Sequence, residues 1–186
     1  VVKSGLHEPG PLEVDGKEVW VWFTPGQGRD LSHRIAKAIG AAKRRVRIAS
    51  PVITAGPILG TLAEEAAEGK LDLAGVVDMP QTSQVFRQWG GNPRSKWKVP
   101  LLASVLSEAQ FAGKPSTPYA PGRIHDYMHA KVTVADDVVF AGSFNLSRSG
   151  EMNAENVLEI HDAELAEQMA GYIDEVRARY PAAKGP

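Results

Sequence analysis

Strand-like and helix-like segments alternate along the first half of the chain. EVWVWF (18–23), RVRIAS (45–50) and LDLAGVVD (71–78) are rich in β-branched, aromatic and other apolar residues, a composition typical of strands. Between them apolar residues recur at helical spacing, and in the second of these helices Pro57 suits a first turn and Gly69 an end. Strands that alternate with helices favour a sheet covered on both sides. We therefore predict an α/β fold with a mixed, mostly parallel β-sheet flanked by helices on both faces.

The second half of the chain is expected to add two helices, three strands and a closing helix. The helices are predicted near residues 82–89 and 99–109, and the strands near 129–135, 138–142 and 155–160. Asp162 is placed to cap the closing helix, because an aspartate side chain accepts hydrogen bonds from the free backbone N–H groups of a first turn.

The domain boundaries follow from length and local composition. A chain of 186 residues, 43% of them hydrophobic, is long enough to bury one sizeable core. Residues 1–18 are rich in glycine, proline and charge and predict a linker or N-terminal arm. Residues 19–180 are expected to form the folded domain, and residues 181–186 a tail.

Composition also argues against several classes of protein. No apolar run approaches the roughly 20 residues that cross a bilayer, and no leader-like segment opens the chain. The absence of cysteine removes disulfides and thiolate metal sites, and the net charge of −1 argues against a strongly basic nucleic-acid-binding surface. We expect a soluble protein, with the cytoplasm slightly favoured, although composition leaves the compartment open.

Polar side chains interrupt the predicted hairpin in a way that suggests chemistry. In HAKVTVADD side chains alternate, so His129 and Lys131 share one face, and Ser143 and Asn145 follow the next strand. A solvated edge strand would account for His129 and Lys131 alone. The whole set suits a phosphate diester, because Lys131 offers positive charge, Ser143 and Asn145 offer neutral hydrogen bonds, and the imidazole attacks phosphorus or transfers a proton.

The same residues resemble a known family. The pattern His129-x-Lys131, with Asp136 five residues after the lysine and Gly142-Ser143-x-Asn145 beyond it, resembles the HKD motif of the phospholipase D superfamily. The segment 21–54 is similar to the strand, helix and strand that open each half of such enzymes, and the resemblance covers roughly 19–180. Members cleave or exchange phosphodiesters in lipids, DNA and RNA.

The resemblance implies a role for each residue. His129 would form a phosphohistidine or, in a second motif, act as the general acid, while Glu155 would hold the imidazole in the reactive tautomer. Asp136 would be structural or orienting. The non-bridging phosphate oxygens would be held by Lys131, Ser143 and Asn145. No cofactor is implied, and no metal is predicted, because His125 and His129 have no evident third ligand.

The chain contains a single His-x-Lys pattern, which leaves half a site. His7, His33 and His161 lack the surrounding motif. The site would be completed by a second copy in a homodimer, or by the N-terminal half of a longer chain that carries its own HKD motif. The missing initiator methionine and the linker-like residues 1–18 favour the second arrangement.

Three functions remain open at the level of sequence. A phospholipid phosphodiesterase or phosphatidyltransferase is preferred, because the net charge is near neutral and the predicted loops hold aromatic and apolar residues expected to be exposed. The segment 87–98, with two tryptophans and four basic residues, suits stacking, phosphate contact or a membrane surface, and equally a packed loop. A metal-independent endonuclease acting as a homodimer is the first alternative. A non-catalytic, phosphate-binding half that requires a partner chain is the second.

Overall fold

The computed structural model describes residues 10–117 and 119–185, and these form eight strands and six helices around one sheet. His7, one of the histidines considered above, lies outside the described residues. In chain order the elements are β1 (Leu12–Val14), β2 (Lys17–Phe23), α1 (Gly28–Ala41), β3 (Arg45–Ser50), α2 (Gly56–Glu68), β4 (Asp72–Asp78), α3 (Met79–Gly90), α4 (Lys98–Glu108), β5 (Gln110–Lys114), β6 (Val132–Ala135), β7 (Val138–Gly142), α5 (Arg148–Met152), β8 (Asn156–His161) and α6 (Ala163–Arg177).

The sheet has the strand order β1-β2-β8-β7-β6-β3-β4-β5, and the predicted α/β class is confirmed. It is mixed, as expected, but the prediction of mostly parallel pairing is wrong. Among the described strands only β3 with β4 and β4 with β5 pair in parallel, while the other five pairs are antiparallel. The reason is that β2 pairs with β8 instead of β3, and the β6–β7 hairpin lies between β8 and β3.

Helices cover both faces of the sheet. On one face α1, α2 and α4 bury residues such as Ile35, Leu59 and Val105 against the strands. On the other face α6 packs Ala166, Ala170 and Ile173 against Val134 and Val139 of the hairpin. None of the helices in the described ranges is long and apolar enough to span a membrane.

Residues at both ends of the described chain pair with strands of the sheet, although the sequence predicted an arm and a tail there. The strand β1 lies within the segment predicted as an arm and pairs with β2. At the other end, the Pro181 carbonyl accepts from the Gly113 N–H at 2.8 Å and the Ala183 N–H donates to the Phe111 carbonyl at 2.8 Å. These bonds cover the open edge of β5, which would otherwise expose unpaired backbone groups. The folded unit therefore extends on both sides of the predicted 19–180.

Candidate active site

The predicted site residues lie at one end of the sheet, where the ends of three neighbouring strands meet. We call this end of the sheet the site edge. The strand β7 ends at Gly142, β8 begins at Asn156, and β6 begins at Val132. Antiparallel pairing brings these ends together, because Gly142 is opposite Val157 and its N–H donates to the Lys131 carbonyl at 3.4 Å. The topology thus places His129, Lys131, Ser143, Asn145 and Glu155 at the same edge.

His129 lies just outside the hairpin that was expected to contain it. The strand β6 begins at Val132, three residues later than predicted, and His129 is exposed. Its carbonyl accepts a hydrogen bond from Lys131 Nζ at 2.6 Å, and its ring lies edge-on to the Tyr127 ring, with centroids 4.9 Å apart. The exposed imidazole is open to solvent, where a phosphate can reach it, and the Lys131 ammonium group lies against the backbone of the same residue.

Lys131 supplies a half-buried positive charge at this edge. Burial lowers its pKa below the usual value for a lysine, and the nearby Glu155 carboxylate opposes that shift. Glu155 is half-buried and accepts a hydrogen bond from Asn153 Nδ2 at 3.4 Å. Within the described residues no hydrogen bond joins Glu155 to the His129 ring, so its role as the supporting carboxylate stays a prediction.

The neutral polar groups are held by the strand pairing around them. Ser143 N–H donates to the Asn156 carbonyl at 2.9 Å, and its hydroxyl accepts from the Asn156 N–H at 3.1 Å. Asn145 Oδ1 is buried and has no hydrogen-bond partner within the part of the chain that the structure describes. Ser143 is therefore positioned by the backbone of Asn156, which suits a group that binds a substrate in a defined geometry.

Asp136 lies at the opposite end of β6 and is separate from this cluster. It forms the β6–β7 turn with a φ of 50°, and its carboxylate accepts from the backbone N–H groups of Lys43, Arg44 and Arg45 at 2.7, 2.9 and 3.0 Å. Partial burial opposes its ionisation, but these three hydrogen bonds and the Arg44 charge lower its pKa overall. Its position matches the structural role implied by the resemblance and does not support a catalytic one.

Sequence reasoning missed the rings that lead up to His129. Tyr119, His125 and Tyr127 form a series with His129 in which neighbouring ring centroids are 6.2, 4.8 and 4.9 Å apart. The signal was the spacing of two residues between His125, Tyr127 and His129, which in an extended chain places side chains on one side. The spacing of four residues between His125 and His129 was considered only as a possible metal-binding pattern. Within the described ranges no three metal-ligating side chains form a group suited to a metal ion.

Comparisons with known proteins identify the family and the fold of the chain. A family model described as "Cardiolipin synthase, PLD-like domain" matches residues 35–177, most of the chain. The chain therefore belongs to this phospholipase D-like family, whose superfamily consists of phosphodiesterases. No curated protein sequence matches the chain significantly.

Solved structures show the same fold at low sequence identity. NucT from Helicobacter pylori superposes with a TM-score of 0.66 and 19% identity, covering 91% of this chain and 99% of NucT. Nuc from Salmonella typhimurium, a phospholipase D family member, gives a TM-score of 0.61 and 22% identity over 96% of this chain and 100% of Nuc. Phosphatidylserine synthase from Haemophilus influenzae gives 0.59 and 18% identity, over 91% of this chain and 38% of the synthase. These likenesses establish the architecture.

Proposed function

We propose that this chain is a phospholipase D-like phosphodiesterase that hydrolyses or transfers phosphodiesters through His129, with a second HKD motif completing the site. The observation that supports this most directly is the meeting of His129, Lys131, Ser143 and Asn145 at one sheet edge in a member of a phospholipase D-like family. The reaction needs no cofactor and no metal ion.

The proposed reaction has two displacements. In the first, the neutral His129 imidazole attacks phosphorus, a nitrogen–phosphorus bond forms, and the bond from phosphorus to the leaving oxygen breaks as a second histidine protonates that oxygen. In the second, water or an alcohol attacks phosphorus, loses its proton to the second histidine and releases His129. Negative charge builds on the non-bridging oxygens in both steps, where Lys131, Ser143 and Asn145 stabilise it.

The second histidine comes from a partner motif. In a homodimer it is His129 of the second copy, and in a longer chain it belongs to an N-terminal HKD motif. In the longer chain the two roles described above are exchanged, so that the partner histidine attacks phosphorus and His129 is the general acid that protonates the leaving oxygen. The same reaction would serve a phospholipid, which the sequence favours, or a nucleic acid, which is the alternative substrate. The substrate class depends on which of these molecules binds the surface around His129.

The test is cleavage of a chromogenic phosphodiester in the presence of EDTA, together with the solution mass of the protein. We expect activity that survives EDTA, disappears with His129→Ala and persists with His33→Ala, because His33 is an exposed histidine of α1 outside the site. Activity that requires an added metal, or that survives His129→Ala, would refute the mechanism. An inactive but folded monomer that binds inorganic phosphate would support the reading of a non-catalytic half instead.

A further inference from the structure

A row of exposed rings runs along the surface to His129. Tyr119 and Tyr127 are 74% and 38% exposed, and His125 and His129 are exposed as well. In the segment 125–129 these rings alternate with Asp126, which is exposed, and with Met128, which is buried. We call Tyr119, His125 and Tyr127 the ring row.

The backbone that bears the ring row is attached to the rigid sheet. Asp78, at the end of β4, is fully buried, and its carboxylate accepts from the Met128 N–H at 3.1 Å and from the Ser116 hydroxyl. The Thr117 N–H donates to the Asp126 carbonyl at 2.7 Å, and the Asp126 carboxylate pairs with Lys114 Nζ at 2.5 Å. These contacts fix the backbone that bears His125 and Tyr127 before any ligand binds, which reduces the entropy lost on binding.

A pocket of about 400 Å³ opens beside the ring row. Its size falls within the usual range for small-ligand sites, in which apolar walls surround a few polar groups. The ring faces supply the apolar wall, while amide and hydroxyl groups supply donors and acceptors. Its lining includes Asp78, Gln81, Ser116, Thr117, His125 and Tyr127.

We propose that this pocket is a base-binding subsite and that the substrate of the site is single-stranded nucleic acid. A flat base stacks on the Tyr127 or His125 ring, and Gln81, Ser116 or Thr117 hydrogen-bonds to its edge. The inference rests on the proposed function, because the 4.9 Å separation of the Tyr127 and His129 rings sets the base beside the phosphate under attack. A base inside a duplex is already stacked and paired and does not reach the pocket.

The ring row also explains how a chain with a net charge of −1 could bind nucleic acid. Stacking contributes affinity that does not depend on a large positive patch, and it is tolerant of sequence because every base has an aromatic face. A phospholipid offers no aromatic group that could stack on these rings, whereas a base does. The structure therefore changes the preferred substrate from phospholipid to nucleic acid.

The test compares two oligonucleotides of equal length and charge, one single-stranded oligothymidylate and one abasic deoxyribose-phosphate chain. Binding to the full chain is measured by fluorescence anisotropy, and cleavage is measured in EDTA. We expect the abasic chain to bind at least about fivefold more weakly, in line with the loss of a stacked base. Tyr127→Leu should remove this difference, and the matched variant Tyr127→Phe, which keeps the ring, should retain it.

Several results would overturn the subsite. Equal affinity of wild type for the two oligonucleotides, an unchanged preference in Tyr127→Leu, or equally tight binding of a duplex would each refute it. Cleavage of phosphatidylglycerol vesicles in preference to the oligothymidylate would replace it with a lipid substrate and leave the proposed phosphodiesterase intact. Conversely, binding that depends on bases and on Tyr127, without cleavage of any phosphodiester, would support the subsite and count against the proposed reaction.

Discussion

Replacing Asp136 by alanine is predicted to destabilise the fold by about 4 kcal/mol. The bonds to the Lys43 and Arg44 N–H groups are exposed, so water replaces them at about 0.5 kcal/mol each, whereas the partly buried, charge-assisted bond to Arg45 contributes about 2 kcal/mol. Alanine at a φ of 50° adds strain of about 1 kcal/mol. For a domain of this size the melting temperature should fall by about 8–16 °C.

Asp136→Asn is the matched control. Asparagine tolerates a positive φ and keeps one oxygen for Arg44 and Arg45, so the expected loss is only about 1–2 kcal/mol. Because the folded state lowers the pKa of Asp136, its ionised form stabilises the protein above roughly pH 4, and this stabilisation is lost as the pH falls through the folded-state pKa. The difference between wild type and Asp136→Asn should therefore shrink in acid.

Urea unfolding at neutral and acidic pH measures these differences, and kcat measured well below the melting temperature separates stability from chemistry. We expect both Asp136 variants, once folded, to keep near wild-type kcat, because the carboxylate lies at the far end of β6 from Lys131. A large loss of kcat in Asp136→Asn with an unchanged unfolding free energy would refute the structural role assigned to this residue.

Two further predictions concern the site and its support. Burial lowers the pKa of Lys131 and the Glu155 carboxylate opposes that shift, so activity should fall at high pH as the ammonium group loses its proton. Glu155→Gln should move this fall to lower pH in a profile of kcat against pH. An alkaline limb that does not move would contradict the role of Lys131 as the charged group of the site. Gly142→Ala should destabilise the protein by about 1–3 kcal/mol, because a Cβ there would lie 2.0 Å from the Asn156 carbonyl oxygen. Gly171→Ala in α6 meets nothing within 4 Å and should stabilise by about 0.5–1 kcal/mol, so thermal shifts of the same sign would disprove this contrast.

Local signals in the sequence predicted local structure well. Asp162 caps α6, as expected, and accepts from the N–H groups of Glu164 and Leu165. Gly69 ends α2 in a left-handed conformation, with a φ of 63°. Each of these features depends on residues a few positions apart, so the spacing along the chain was sufficient evidence.

Features that depend on distant residues were harder to predict. The strand β5 was missed because QFAGK is short and lacks alternation, and it forms through pairing with β4 on one side and with Pro181 and Ala183 on the other. The pairing of β2 with β8 also depends on distant residues, since the two strands are more than a hundred residues apart, and the sequence did not predict it. Strand order reflects which surfaces bury one another, and this is not encoded in any short window.

The sequence by itself determined the α/β class and the chemistry available in the His129, Lys131, Ser143 and Asn145 pattern, because residue type and short spacings are properties of the covalent chain. Only the tertiary structure decided that Asp136 lies away from the cluster, that Glu155 sits beside Lys131, and that Tyr119, His125 and Tyr127 form a row next to a pocket. Those relations arise when antiparallel pairing and burial bring distant strand ends to one edge of the sheet, where packing sets the distances between side chains.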